Sequence, residues 1–256
     1  MTESTVLAAF ADIPPIQLAL VATVTLFASL VGGVAGYGTG ALMPLVLVPM
    51  VGAEPVVPII AISALLTNTG RAMAFRTAID FRRAGIVLVA SIPTCILSAY
   101  GYTKLTSAGA MLVIGAMLML TVPLRYFLKR RAIGIGDRGL AVGAVGYGAA
   151  VGGTVGAGII LLSILMAARL EGAAVIATDA AISIVIGMVR LIVFGVTGAV
   201  TAQVLAFALL IGLIAFPGAF LARALVARMP IHVHTAILDA VVLIGGAFLV
   251  IGAFVR

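Results

Sequence analysis

The chain has 256 residues, 64% hydrophobic and 9% charged, a balance that leaves too little polar sequence to coat a water-soluble core. It therefore reads as an all-α integral membrane protein, with lipid as the solvent of its outer surface, forming a single transmembrane domain over residues 1–256. The formal charge of +7 does not point to nucleic acid, because Lys and Arg in a membrane protein collect in cytoplasmic loops.

In chain order, Met1 to Pro15 carries Glu3 and Asp12 and no basic residue. It lacks the positive start of a cleaved signal peptide, so the first apolar run is expected to be a retained span. A helix needs about 20 apolar residues to cross the hydrocarbon core. Runs of that order occupy 16–36, 55–75, 84–103, 107–127, 140–158, 172–198, 201–222 and 236–255. Two further apolar runs, 41–51 and 159–168, are only about half a bilayer long at ~1.5 Å per residue.

Each short run follows a glycine-rich break, Gly36-Tyr37-Gly38-Thr39-Gly40 in the first case and Gly152-Gly153-Thr154-Val155-Gly156-Ala157-Gly158 in the second. Glycine at this density disfavours regular helix and lets the backbone approach a ligand or a neighbour closely. An acid follows each short run, Glu54 or Glu171, and then a long run ending in the same pattern, Arg71 with Phe75 and Arg190 with Phe194. The acids are 117 residues apart and the arginines 119.

The repeating unit is thus one long span, a glycine break, a half-length helix and three more spans. Five segments is an odd number, so the second copy would lie upside down relative to the first, as in the inverted repeats of secondary transporters. The expected fold is two five-segment inverted repeats with eight long spans plus two short ones. Repeat one covers about 16–127 and repeat two about 140–255, joined by a basic cytoplasmic loop at 128–139.

Charge placement supports ten crossings with both termini outside. If both short runs cross, the loops around 76–83, 125–138, 169 and 223–228 share one face and hold eleven of the fifteen basic residues. Lys104 and Arg256 fall on the other face, and Arg71 and Arg190 within apolar runs. If both short runs are re-entrant the split is about nine to four, a weaker positive-inside signal.

The sequence GYGTGALMP from Gly36 to Pro44, the related GGTVGAGIILL from Gly152 to Leu162, and the duplication that carries them resemble the sulfite exporter TauE/SafE family of membrane permeases. The likeness runs from about Ile16 to Phe254. Tyr37 and Thr39 interrupt the first glycine run, and Leu162 stands where a proline is expected. The resemblance implies secondary transport, in a bacterial inner membrane, of a small sulfur-containing anion such as sulfite or a short organosulfonate. The chain has no GxxxxGK[ST] phosphate loop, so a gradient would supply the energy. A proton gradient and the substrate's own gradient are both open.

Charges inside the membrane cost roughly 2.5–3.5 kcal/mol on insertion scales and invite a functional explanation. Arg71 and Arg190 hold equivalent places in the two copies, and a guanidinium fork suits two oxygens of a sulfonate; snorkelling to the interface is the structural alternative. At the breaks, helices starting near Ala41 and Ile159 would aim unpaired N–H groups at the protein centre. Tyr37, Thr39 and Thr154 would add hydroxyl donors there, with Gly38, Gly40, Gly156 and Gly158 keeping the backbone accessible. Close helix packing through small residues is the alternative at these glycines.

Asn68, beside Thr67, adds polarity just before Arg71, as Thr178, Asp179 and Ser183 do in the second copy. A hydroxyl bond to the carbonyl one turn back is the ordinary explanation for the threonines. Asp179 reads as the only acid well inside a span and as the proton-coupling candidate. Lying about 16 Å along one helix from Arg190, it is expected to meet Arg71 of the other copy instead. Glu54 and Glu171 read as acids offsetting helix dipoles. His232 and His234 read as solvated loop residues with no third metal ligand nearby, and Pro93, Pro123 and Pro217 as kinks within spans. The single cysteine, Cys95, excludes an intrachain disulfide and a cysteine metal cluster and reads as a small buried hydrophobe.

No HExxH, GxSxG or acidic cluster suggests an enzyme, and no cofactor or metal is implied. The expected partners are a small anion and the lipid bilayer, with no nucleic acid, and oligomeric state leaves no trace in the sequence. A passive anion channel, or a permease for a small carboxylate, would use the same residues.

Overall fold

The computed structural model describes residues 13–35, 38–130, 134–226 and 231–255. Within them lie ten α-helices, a single 3-10 turn and no strand. They are α1 (Pro15–Ala35), α2 (Gly38–Val51), α3 (Val56–Ala74), α4 (Phe81–Tyr102) and α5 (Ser107–Arg130) in the first half. The second half holds α6 (Asp137–Gly153), α7 (Gly158–Ala167), α8 (Ala173–Val196), α9 (Ala202–Val226) and α10 (Ile231–Val255). Four helices, α3, α4, most of α5 and α8, are long and apolar enough to cross a membrane. Large side chains such as Leu97, Val142, Ile192 and Phe248 are exposed along the bundle, which suits a surface solvated by hydrocarbon.

The halves pack by exchange of partners: α1 lies on α9 as α6 lies on α4, and α3 lies on α9 as α8 lies on α4. The short helices follow suit, α2 meeting α10 and α7 meeting α5, while α3–α8 and α5–α10 join the halves at the middle. Glycine permits the closest of these contacts. A Cβ at Gly148 would strike the Ser91 carbonyl, and one at Gly152 the Cys95 carbonyl. At that spacing α4 hydroxyls reach the carbonyls of α6, Thr94 Oγ1 donating to Val145 O (3.0 Å) and Ser98 Oγ to Ala149 O (2.6 Å).

Polar contacts fix the ends. Ile135 N donates to Ala167 O (2.8 Å), so α7 runs back beside α6 to the end where α6 begins. Arg82 pairs with Asp137 at that same end. There Asp80 caps α4, its carboxylate accepting from Arg83 N (2.9 Å); this backbone N–H, with the Arg83 side chain, holds the Asp80 carboxyl below its ordinary range. At the opposite end Tyr102 Oη donates to Ala53 O (2.8 Å).

Several expectations shift. Helix α2 begins at Gly38 and α7 at Gly158, earlier than Ala41 and Ile159, because glycine is tolerated in a first turn that packing holds in place. Helix α10 begins at Ile231, so His232 and His234 belong to a helical segment and not to a loop. The joining loop contracts, since α5 continues to Arg130 and α6 starts at Asp137. Pro93, Pro123 and Pro217 do lie inside helices, and Cys95 is a buried free thiol. The N-terminal residues 1–12 with Glu3 and Asp12, the first-break residues Gly36 and Tyr37, and Arg256 lie outside the described residues.

Candidate functional site

A cavity of about 200 Å³ occupies the middle of the bundle, where both glycine breaks converge. Thr154 ends α6 in extended backbone (φ −137°, ψ −175°). Gly156 then turns the chain with φ +80°, a left-handed conformation that glycine alone adopts without strain, and α7 starts two residues on. A Cβ on Gly40 would stand 3.5 Å from Gly156 N. The first turns of α2 and α7 therefore meet at the cavity, with their leading N–H groups lacking partners inside their own helices and the positive ends of both dipoles directed there.

Thr39, Gly40, Gly156 and Gly158 line the cavity, as do Asn68, Arg71, Thr154, Asp179 and Arg190. Gly38 opens α2, and Tyr37 falls outside the described residues. Residues thus drawn from both halves share one chamber. Its remaining wall is apolar and small, including Ala28, Ile60, Ala61, Ile186 and Ala215, with Ser29, Tyr147 and Ser183 adding hydroxyls.

The two arginines differ. Arg71 Nη2 lies 3.0 Å from Asp179 Oδ2, the cross-copy contact expected from sequence, and its Nη1 donates to Asn68 Oδ1 (3.0 Å). Its fork is occupied by protein. Arg190 is 6% exposed, makes no ion pair among the described residues, and donates from Nη2 to the Thr154 carbonyl (3.2 Å). Its Nε has no hydrogen-bond partner there. The guanidinium sits 5.8 Å from the Phe194 ring centre, and Phe194 meets Tyr102 edge-on, centroids 6.3 Å apart. Phe194, and Tyr102 through it, thus pack beside Arg190, whereas the Arg71 side chain is 30% exposed.

The threonines turn inward on their own helices. Thr67 Oγ1 donates to Ala64 O (3.1 Å) and Thr154 Oγ1 to Ala150 O (2.6 Å). The Thr154 proton is therefore spent on its own helix, which presents the hydroxyl to the cavity as an acceptor, contrary to the donor role expected of it. Thr178 Oγ1 accepts from Asp80 N (3.0 Å), tying α8 to the α4 cap. Asp179 is not the only acid within a helix. Asp239, eight residues into α10, is 5% exposed and accepts from Tyr126 Oη (3.1 Å).

The family model for the sulfite exporter TauE/SafE matches residues 21–249. No curated protein and no solved structure matches the chain.

Proposed function

Because this chain belongs to the sulfite exporter TauE/SafE family, a family of multi-pass membrane transporters, we propose that it is a secondary transporter carrying sulfite or a short organosulfonate through the central cavity. The observation that carries this reading is Arg190. A guanidinium buried to this degree, with one backbone acceptor and a free Nε, is costly without a counter-ion. The chamber it faces receives two helix N-termini and has room for one small anion with its water. Backbone N–H groups at Gly40, Gly156 and Gly158 would bind oxygens on one side of the anion and Arg190 on the other.

The partner exchange between α1–α5 and α6–α10 supports an inverted repeat, with repeat one at about 16–127 and repeat two at about 140–255. The return of α7 to the end where α6 begins supports a crossing short helix over a re-entrant one. With α2 likewise crossing, the basic connections share one face, which is cytoplasmic by the positive-inside rule, and the membrane is a bacterial inner membrane. The greater exposure of Arg71 supports an inward-open state.

The test is uptake of labelled sulfite, and separately of isethionate or sulfoacetate, into liposomes with and without a pH gradient. Saturable uptake that accumulates substrate, and that Arg190→Ala abolishes, is expected. Uptake that never exceeds equilibration would favour a channel, and competition by a small carboxylate would widen the substrate class. Folded protein that moves no sulfur anion would overturn the substrate assignment.

A further inference from the structure

We propose that the Arg71–Asp179 pair is a proton-operated latch: a proton taken up by Asp179 releases the Arg71 guanidinium as a second ligand for the anion, so anion and proton bind cooperatively. The inference rests on the cavity being the anion site.

The charge count of the chamber carries it. Two arginines and one aspartate line the cavity, and among the described residues the aspartate is engaged by Arg71. The resting chamber is therefore a neutral pair plus one uncompensated cation, Arg190. Protonation of the Asp179 carboxylate, with the proton drawn from water, removes the ionic hold on Arg71 and leaves two cations facing the same space. Asn68 stays bonded to Arg71 Nη1 and steadies the guanidinium while Nη2 turns from Asp179 to the anion.

Access is built in: Asp179 is 6% exposed in its side chain but its partner is 30% exposed, so the pair stands at the open end of the chamber. Other titratable or charged groups face α8 without touching this carboxylate. Tyr147 of α6 and Arg190 line the same cavity, Cys95 of α4 is buried nearby, and Arg76 lies in the 3-10 turn that packs on α8. Asp80, held by Arg83, meets the neighbouring Thr178 through its backbone N–H. Linkage is reciprocal, so whatever factor the proton adds to anion affinity, the anion adds to proton affinity. The anion is then captured where protons are abundant and released where they are scarce.

Isethionate is the probe, since its charge does not change over the accessible pH range. Calorimetric titration of the full chain at acidic and alkaline pH, in two buffers of different ionisation enthalpy, reads affinity and protons taken up together. Wild type is expected to bind more tightly at acidic pH, by roughly 5- to 150-fold, with a proton taken up per anion at alkaline pH. Asp179→Asn should bind tightly at both pH values with no proton uptake. Arg71→Gln/Asp179→Asn should bind weakly at both, which guards against misreading a folding defect in the single variant. Wild-type pH dependence surviving in Asp179→Asn overturns the latch alone. Binding that survives Arg190→Ala, or no binding to wild type at either pH, overturns the site reading and the latch with it.

Discussion

At the residue scale the decisive contrast is between two arginines that the sequence made equivalent. Arg71 and Arg190 occupy matching positions, yet one meets a carboxylate and the other a backbone carbonyl and an aromatic ring. The difference lies in a single neighbour, because the second copy has Asp179 and the residue 119 positions earlier is Ile60. An ion pair this enclosed is weak evidence of net stability, but removing one partner strands the other and costs about 3–5 kcal/mol. Arg71→Asp is accordingly expected to unfold well below wild type in a thermal-shift assay in detergent, and the exchange Arg71→Asp/Asp179→Arg to recover much of the loss. A double variant no more stable than Arg71→Asp would show that the exchanged charges do not pair.

At the element scale the glycines of α6 divide into two groups that the sequence does not distinguish. Gly148 and Gly152 face α4, where an added Cβ meets backbone carbonyls that cannot move aside, and at Gly152 also Ala99 N at 2.9 Å. Gly146, on the same helix, faces open space. Gly152→Ala is expected to lower stability by about 1–3 kcal/mol through overpacking. Gly146→Ala should be neutral or raise it by about 0.5–1 kcal/mol through helix propensity. Thermal unfolding of the two variants in one detergent checks the pair, and similar destabilisation by both would show that the α4–α6 approach does not depend on glycine. The breaks belong to a third use of glycine, where φ at Gly156 matters and α7 is aimed at the cavity.

At the scale of the whole molecule, the contacts Ile135–Ala167 and Arg82–Asp137 at one end and Tyr102–Ala53 at the other define two faces. Single cysteines placed at Arg138 and at Lys104 in a Cys95→Ser background should react with an impermeant thiol reagent from opposite sides of oriented membrane vesicles, with Arg138 on the cytoplasmic side. Labelling of both from the same side would refute the ten-crossing arrangement. The exposed Arg71 side chain and the Phe194–Tyr102 contact beside Arg190 make the two ends of the bundle unlike.

The sequence by itself determined the solvent, the helical class and the places where helices break. These follow from local composition: twenty apolar residues suit only a spanning helix, and dense glycine interrupts one. It also marked Arg71, Asp179, Arg190 and the glycines of both breaks as one set, because buried charge and repeated glycine are unusual enough to stand out. The Arg71–Asp179 contact was legible too, but only the tertiary structure decided that Arg190 has no carboxylate partner among the described residues, that the Thr154 hydroxyl is spent on its own helix, and that Asp239 is buried. Each of these depends on which side chain arrives from a helix far away in the chain, and partners across a bundle are set by packing that local pattern does not encode.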